Sequence, residues 1–133
     1  MSCAGTNRAT IRHVGRRVLI VDDHPSFRRF ATKLLERGGF CVVGVAEDGA
    51  SALAAARRLQ PELVLLDVLL PDMSGFAVAE ALAADSYRPT VVLVSSRSAA
   101  ELSSALEESP ADGFLTKSEL TAEALAAFVD GAG

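Results

Sequence analysis

The sequence predicts a doubly wound α/β domain, and three observations carry that prediction. Five short apolar runs alternate with five amphipathic stretches along the 133 residues. Three of the runs are continuous aliphatic stretches without polar alternation, the pattern of strands covered on both faces of a parallel sheet. Carboxylates, a hydroxyl and an ammonium follow the ends of these runs, where an open parallel sheet binds its ligands.

Taken in order, the first strand is read at Arg17–Asp22. The helix after it has Phe27, Phe30, Ala31, Leu34 and Leu35 on one face, and Arg28, Arg29, Lys33 and Glu36 on the other. Pro25 suits its first turn, and Gly38-Gly39 stops it. The second strand is Phe40–Ala46. Asp48 caps a helix that runs through Leu59 and ends before Pro61. The third strand, Leu63–Asp67, leads to a helix from Gly75 to Ala84. The fourth strand is Val91–Ser95, with Ala99, Leu102, Ala105 and Leu106 marking the next helix before Pro110. Gly113–Thr116 is the fifth strand, and Leu120, Ala124, Ala127 and Phe128 mark the last helix. Right-handed crossovers put these helices on both faces of the sheet.

Composition narrows the function classes. Half the residues are hydrophobic and mean hydropathy is +0.28, so the chain can bury a core. Its longest runs of Val, Leu and Ile, such as Val18–Val21 and Leu63–Leu66, are four residues, far short of the roughly 20 apolar residues a membrane span needs. No apolar signal-like stretch opens the chain, so a cytoplasmic location is expected. Residues 1–17 carry Arg8, Arg12, Arg16 and Arg17 and no acid, whereas the rest is strongly acidic within a net charge of −4. That balance argues against direct nucleic-acid binding, which favours a basic stripe. Residues 1–16 are read as a flexible basic tail, 17–130 as the domain and 131–133 as a C-terminal tail. Cys3 and Cys41 lack metal-ligand spacing and are expected as free thiols in a reducing compartment.

The strand ends carry the chemistry. Asp22 and Asp23 end the first strand and Asp67 the third; Ser95 ends the fourth, and Lys117 follows the fifth. Each alone is an ordinary cap or surface residue. Together, three carboxylates on one edge repel unless a cation intervenes, and a hard divalent ion such as Mg²⁺ suits oxygen donors. Lys117 then offers a point charge to a phosphoryl oxygen and Ser95 a short donor. A carboxylate can itself accept the phosphoryl group, so the set reads as phosphoryl capture on Asp67.

Four motifs in order carry a resemblance: Val-Leu-Ile-Val-Asp22-Asp23-His24-Pro25, Leu-Val-Leu-Leu-Asp67-Val-Leu-Leu-Pro71-Asp-Met73-Ser-Gly75, Val-Val-Leu-Val-Ser95-Ser96 and Gly113-Phe114-Leu-Thr-Lys117. The sequence resembles a response-regulator receiver domain of bacterial two-component signalling. The resemblance implies a flavodoxin-like five-stranded sheet of order 2-1-3-4-5 with five helices, a fold for which the flavodoxin-like order is well known. It implies Asp67 as phosphoacceptor, with Lys117 and Ser95 in the reaction site. It also implies Asp22, Asp23, Asp67 and the Leu69 carbonyl around Mg²⁺, and Ser95 with Phe114 as the switch pair. The implied partners are a histidine kinase or phosphotransfer protein, and a downstream protein on the face formed by the fourth helix, fifth strand and fifth helix. A homodimer stays open.

Three departures stand out. Ser118 follows Lys117 where many receivers have proline, Ser96 replaces a smaller residue, and Phe114 lacks a tyrosine hydroxyl. His24 is not expected to bind metal, being one imidazole beside hard-oxygen chemistry. The leading expectation is a stand-alone phosphoacceptor switch and not a turnover enzyme. Its rivals are a receiver fragment of a DNA-binding regulator, a pseudo-receiver that binds without phosphate, and an aspartyl phosphohydrolase, whose usual Asp-x-Asp pattern is absent.

Overall fold

In the computed structural model, which describes residues 15–130, strands and helices alternate strictly. The elements are β1 (Arg17–Val21), α1 (Pro25–Arg37), β2 (Cys41–Ala46), α2 (Gly49–Leu59), β3 (Leu63–Asp67), α3 (Gly75–Ala84), β4 (Thr90–Ser95), α4 (Ser103–Glu108), β5 (Gly113–Thr116) and α5 (Ala122–Asp130). A 3₁₀ turn at Lys117–Glu119 joins β5 to α5. The sheet is wholly parallel, in the order β2-β1-β3-β4-β5, as expected.

Alternate strand residues face two separate cores. Leu19, Val21, Val64, Leu66, Val91 and Leu93 pack beneath α2 and α3. Val18, Ile20, Leu63, Leu65, Val92 and Val94 pack beneath α1 and α5. Every residue of β3 is buried, which explains why its sequence shows no polar alternation. The expected Asp48 cap is present: its carboxylate accepts the Ser51 N–H at 2.8 Å. Ser74 caps α3 in the same way through the Ala77 N–H.

Several expectations need correction. Phe30 was expected in the core face of α1, yet it is 52% exposed, because Ala31 and Leu35 take the inward direction. The fourth helix is shorter than its apolar spacing suggests: residues 99–102 form turns and α4 has no fully buried residue. Leu120 precedes α5, whose buried residues are Leu125 and Ala126, and Ala127 is exposed. The helix face is therefore rotated from the one the sequence suggested. Lastly, Cys41 is disulfide-bonded, against the expectation of free thiols. The Gly15 N–H donates to the Gly39 carbonyl and the Cys41 N–H to the Arg16 carbonyl. The chain entering β1 thus runs beside the entry to β2, a proximity that sequence separation hid. The disulfide partner and the tails at 1–14 and 131–133 lie outside the described residues. Of the two arginines nearest the tail, Arg17 is built into the fold, donating to the Gln60 and Leu59 carbonyls, and Arg16 faces Glu62 at 3.9 Å.

Candidate functional site

The C-terminal edge of the sheet gathers the predicted residues. Val21 pairs with Leu66 in register, so Asp22 and Asp67, one step beyond each, are neighbours. Asp22 is fully buried, Asp67 is 4% exposed, and Ser95 is 5% exposed. One atom from each of Asp22, Asp23, His24 and Asp67 falls within a 4.8 Å cluster. Lys117 arrives from the end of β5, its Nζ 2.7 Å from Asp22 Oδ2 and 3.4 Å from Asp67 Oδ2.

Electrostatics separates the two buried carboxylates. Burial pushes both up. For Asp22 it is outweighed by the Lys117 ammonium and the His24 N–H, which hold that carboxyl below its ordinary range. Asp67 lacks this compensation: burial, helped by the neighbouring Asp22 charge, raises it to about 6 although the Leu69 N–H and Lys117 oppose the rise. Burial alone would lower Lys117, but its two carboxylate partners bring it above the usual lysine value. The lysine is thus held on Asp22, and Asp67 is the carboxylate with more unmet need for positive charge.

The oxygen donors fit a hard divalent ion. Asp23 Oδ1 is sealed from solvent and makes no hydrogen bond among the described residues, with His24 Nδ1 3.2 Å away. A buried carboxylate oxygen without a hydrogen bond, beside two further carboxylates, is what such an ion satisfies. Leu69 lies two residues past Asp67, its side chain 71% exposed and its N–H on Asp67 Oδ1 at 3.1 Å. The loop stays tight because Gly75 abuts the Asp67 backbone: a Cβ there would sit 2.2 Å from the Asp67 carbonyl oxygen. Asp72 ties the same loop to α2, accepting the Gly49 N–H at 2.7 Å and the Ala50 N–H at 3.0 Å.

Ser95 Oγ accepts the Arg97 N–H at 3.0 Å, so the hydroxyl sits at the same edge in a local turn. Phe114 is half-buried on the α2/α3/α4 side, in the layer that also holds Leu102 and Leu106. No cis peptide bond occurs among the described residues; after Lys117 the chain turns through a capping box between Thr116 and Glu119.

Sequence reasoning missed three contributors. Arg28 was assigned to the outer face of α1, yet its Nη1 donates to the Asp22 carbonyl at 2.7 Å. His24 was set aside, but its N–H and Nδ1 lie 2.7 and 3.1 Å from Asp22 Oδ1. Phe27 was read as core, and its ring centre lies 4.4 Å from Lys117 Nζ. The signal was their position: all three fall at the N-cap or in the opening residues of α1, directly after the Asp-Asp pair.

Comparison with known proteins agrees with this geometry. The chain matches the response regulator receiver domain family over residues 18–129. It is 42% identical over 104 residues to the DNA-binding response regulator MtrA of Mycolicibacterium smegmatis, covering 77% of this chain and 44% of that protein. Among solved structures it is similar to the signal receiver domain of NarL from Mycobacterium tuberculosis, with TM-score 0.77 and 36% identity over 90% of this chain and 97% of that one. A LuxR-family two-component response regulator from Aurantimonas sp. SI85-9A1 also has TM-score 0.77, at 28% identity, covering 86% of this chain and 83% of that one. The chain spans about half the length of the curated relatives it matches. With the acid cluster, the lysine and the 2-1-3-4-5 sheet in place, this chain belongs to the response regulator receiver family, a signalling domain of two-component systems.

Proposed function

We propose that this domain takes a phosphoryl group from a histidine kinase or phosphotransfer protein onto Asp67, and that the modified form binds its partners differently. The observation that carries the reading is the asymmetric pair of buried carboxylates, with Lys117 shared between Asp22 at 2.7 Å and Asp67 at 3.4 Å. An Asp67 oxygen attacks phosphorus, a P–O bond forms, and the donor's P–N bond breaks with its electron pair leaving on the imidazole nitrogen. Lys117 meets the negative oxygens of the transferring group and afterwards of the aspartyl phosphate. Asp22, Asp23, Asp67 and the Leu69 carbonyl are the residues that would hold Mg²⁺, which supplies charge neutralisation to the phosphoryl oxygens.

Ser95 and Phe114 relay the change. A phosphoryl oxygen draws the Ser95 hydroxyl from its local turn, and Phe114 repacks into the space it leaves, reshaping the α4–β5–α5 face for a downstream protein or a second copy. Two charge-assisted hydrogen bonds at about 1.5–3 kcal/mol each compare with roughly 5.5 kcal/mol to move a switch from 1:99 to 99:1. The bonds to Lys117 and Ser95 are therefore enough for a large shift. Residues 17–130 act as the unit, in the cytoplasm, without direct nucleic-acid contact. Among the described residues, no helix is long and apolar enough to cross a membrane.

The test is phosphate-affinity electrophoresis and intact mass after incubation with Mg²⁺ and acetyl phosphate. The wild type gains about 80 Da, one phosphoryl group, and Asp67→Asn does not. Equal labelling of the variant overturns the assignment. A second reading, the receiver portion of a DNA-binding regulator, is favoured by the coverage of only 44% of MtrA's length. A reading frame that continues past Gly133 into a helix-turn-helix region would establish it.

A further inference from the structure

We propose that Phe27 is a positioning residue for the Lys117 ammonium, an inference that rests on the reading of Asp67 as phosphoacceptor. An ammonium has three N–H donors and no acceptor. Here two directions are taken by Asp22 Oδ2 at 2.7 Å and Asp67 Oδ2 at 3.4 Å. The Phe27 ring lies on the group as well, its centroid 4.4 Å from Nζ, within the reach of a cation–π contact. The lysine side chain is only 20% exposed, so water screens little of this attraction.

The ring is itself held. It packs against the buried cluster beneath α1 and α5 and tilts at 44° to Phe30, with centroids 6.2 Å apart. Pro25 at the start of α1 fixes the turn from which Phe27 projects. The seat matters because Lys117 has two claims on it. Asp22 holds it in the resting site, and transfer to Asp67 needs its charge on the incoming phosphoryl group. A flat apolar face that attracts the cation without a directional bond lets the ammonium turn between those partners while keeping it from solvent. An aliphatic side chain of similar bulk would fill the space and lose that attraction. If Phe27 served only as core packing, such a replacement would leave phosphoryl transfer untouched.

The experiment compares wild type, Phe27→Leu and Phe27→Tyr in the rate of phosphorylation by acetyl phosphate with saturating Mg²⁺. Phe27→Leu slows labelling about five- to thirtyfold, the factor that a cation–π contact of about 1–2 kcal/mol makes in a rate. Phe27→Tyr, which keeps the π face, stays within about twofold of wild type. Labelling of Phe27→Leu at the wild-type rate, or Phe27→Tyr as slow as Phe27→Leu, overturns the proposal. A second arm needs only the wild-type protein: the Lys117 ε-methylene protons are shifted upfield by the ring current, and ordinary lysine shifts overturn the seat. A wild type that accepts no phosphoryl group would instead sink the reading of Asp67, while the NMR arm still reads the seat.

Discussion

Two parts of the sheet, the central strands β1, β3 and β4 and the edge formed by β5 beside α4, are built to different standards of burial. In β1, β3 and β4, all but the first residues of β1 and β4 are buried, and β3 is sealed throughout. In β5 every residue is only half-buried, and α4 is six residues long with none fully buried. The acid cluster stands on the first part, and Phe114 on the second. The contrast teaches how one small domain reconciles two demands. Carboxylates held against their mutual repulsion need a stiff frame, whereas the face proposed to change on phosphorylation lies in the less buried part, where local opening costs least.

The sharpest way to break this comparison is to hollow each part in turn. Leu65→Ala in β3 should cost about 3–4 kcal/mol in urea unfolding, as a fully buried leucine does. Leu106→Ala in α4 should cost about 1 kcal/mol, since that side chain is only partly buried and its site can collapse. Equal losses would erase the distinction between the two parts.

A second test addresses strain at Asp67. The Asp67 carboxyl is raised from 3.8 to about 6 in the fold. Below the lower value it is protonated folded and unfolded alike. Between the two, the native state keeps a proton that the unfolded chain has released, so stability falls as pH rises through this window. In the absence of Mg²⁺, Asp67→Asn should therefore stabilise the domain at pH 7 by roughly 1–3 kcal/mol and flatten the profile between those two pKa values. A destabilised variant with an unchanged profile would show that the carboxylate is not strained.

Metal relieves the same crowding of carboxylates and supplies a smaller effect of the same sign. Mg²⁺ should raise the melting temperature of the wild type through binding linkage. Asp23→Ala should lose most of that gain, since it removes the buried, unbonded Oδ1. The same Mg²⁺ response in the variant would take Asp23 out of the site.

The contrast also explains what the sequence made legible. Sealed strands such as Leu63–Asp67 announce themselves as aliphatic runs, so the alternation of elements and the place of Asp22, Asp67, Ser95 and Lys117 at strand ends could be read directly, while the strand order came from the family resemblance. Caps are local chemistry, and Asp48 was found from its spacing. The half-buried elements were read less well. The spacing of Ala99, Leu102, Ala105 and Leu106 suggested a longer helix than Ser103–Glu108, because a shallow apolar stripe satisfies both a turn and a helix. The dual roles of Phe27 and Arg28 were hidden for a related reason. Periodicity assigns a residue to a face, while the first turn of α1 stands where that face meets the site.

The most direct test of the account follows the signal from the stiff part to the loose one. Amide NMR spectra recorded with Mg²⁺, with and without beryllofluoride as a phosphoryl mimic, should show wild-type shifts around Asp22 and Asp67 and also across residues 99–106 and Phe114. In Ser95→Ala the shifts near Asp67 should persist, while those at 99–106 and Phe114 should largely vanish. Full-sized distant shifts in the variant, or wild-type changes confined to the acid cluster, would contradict a site on the rigid part that drives the face on the other through Ser95.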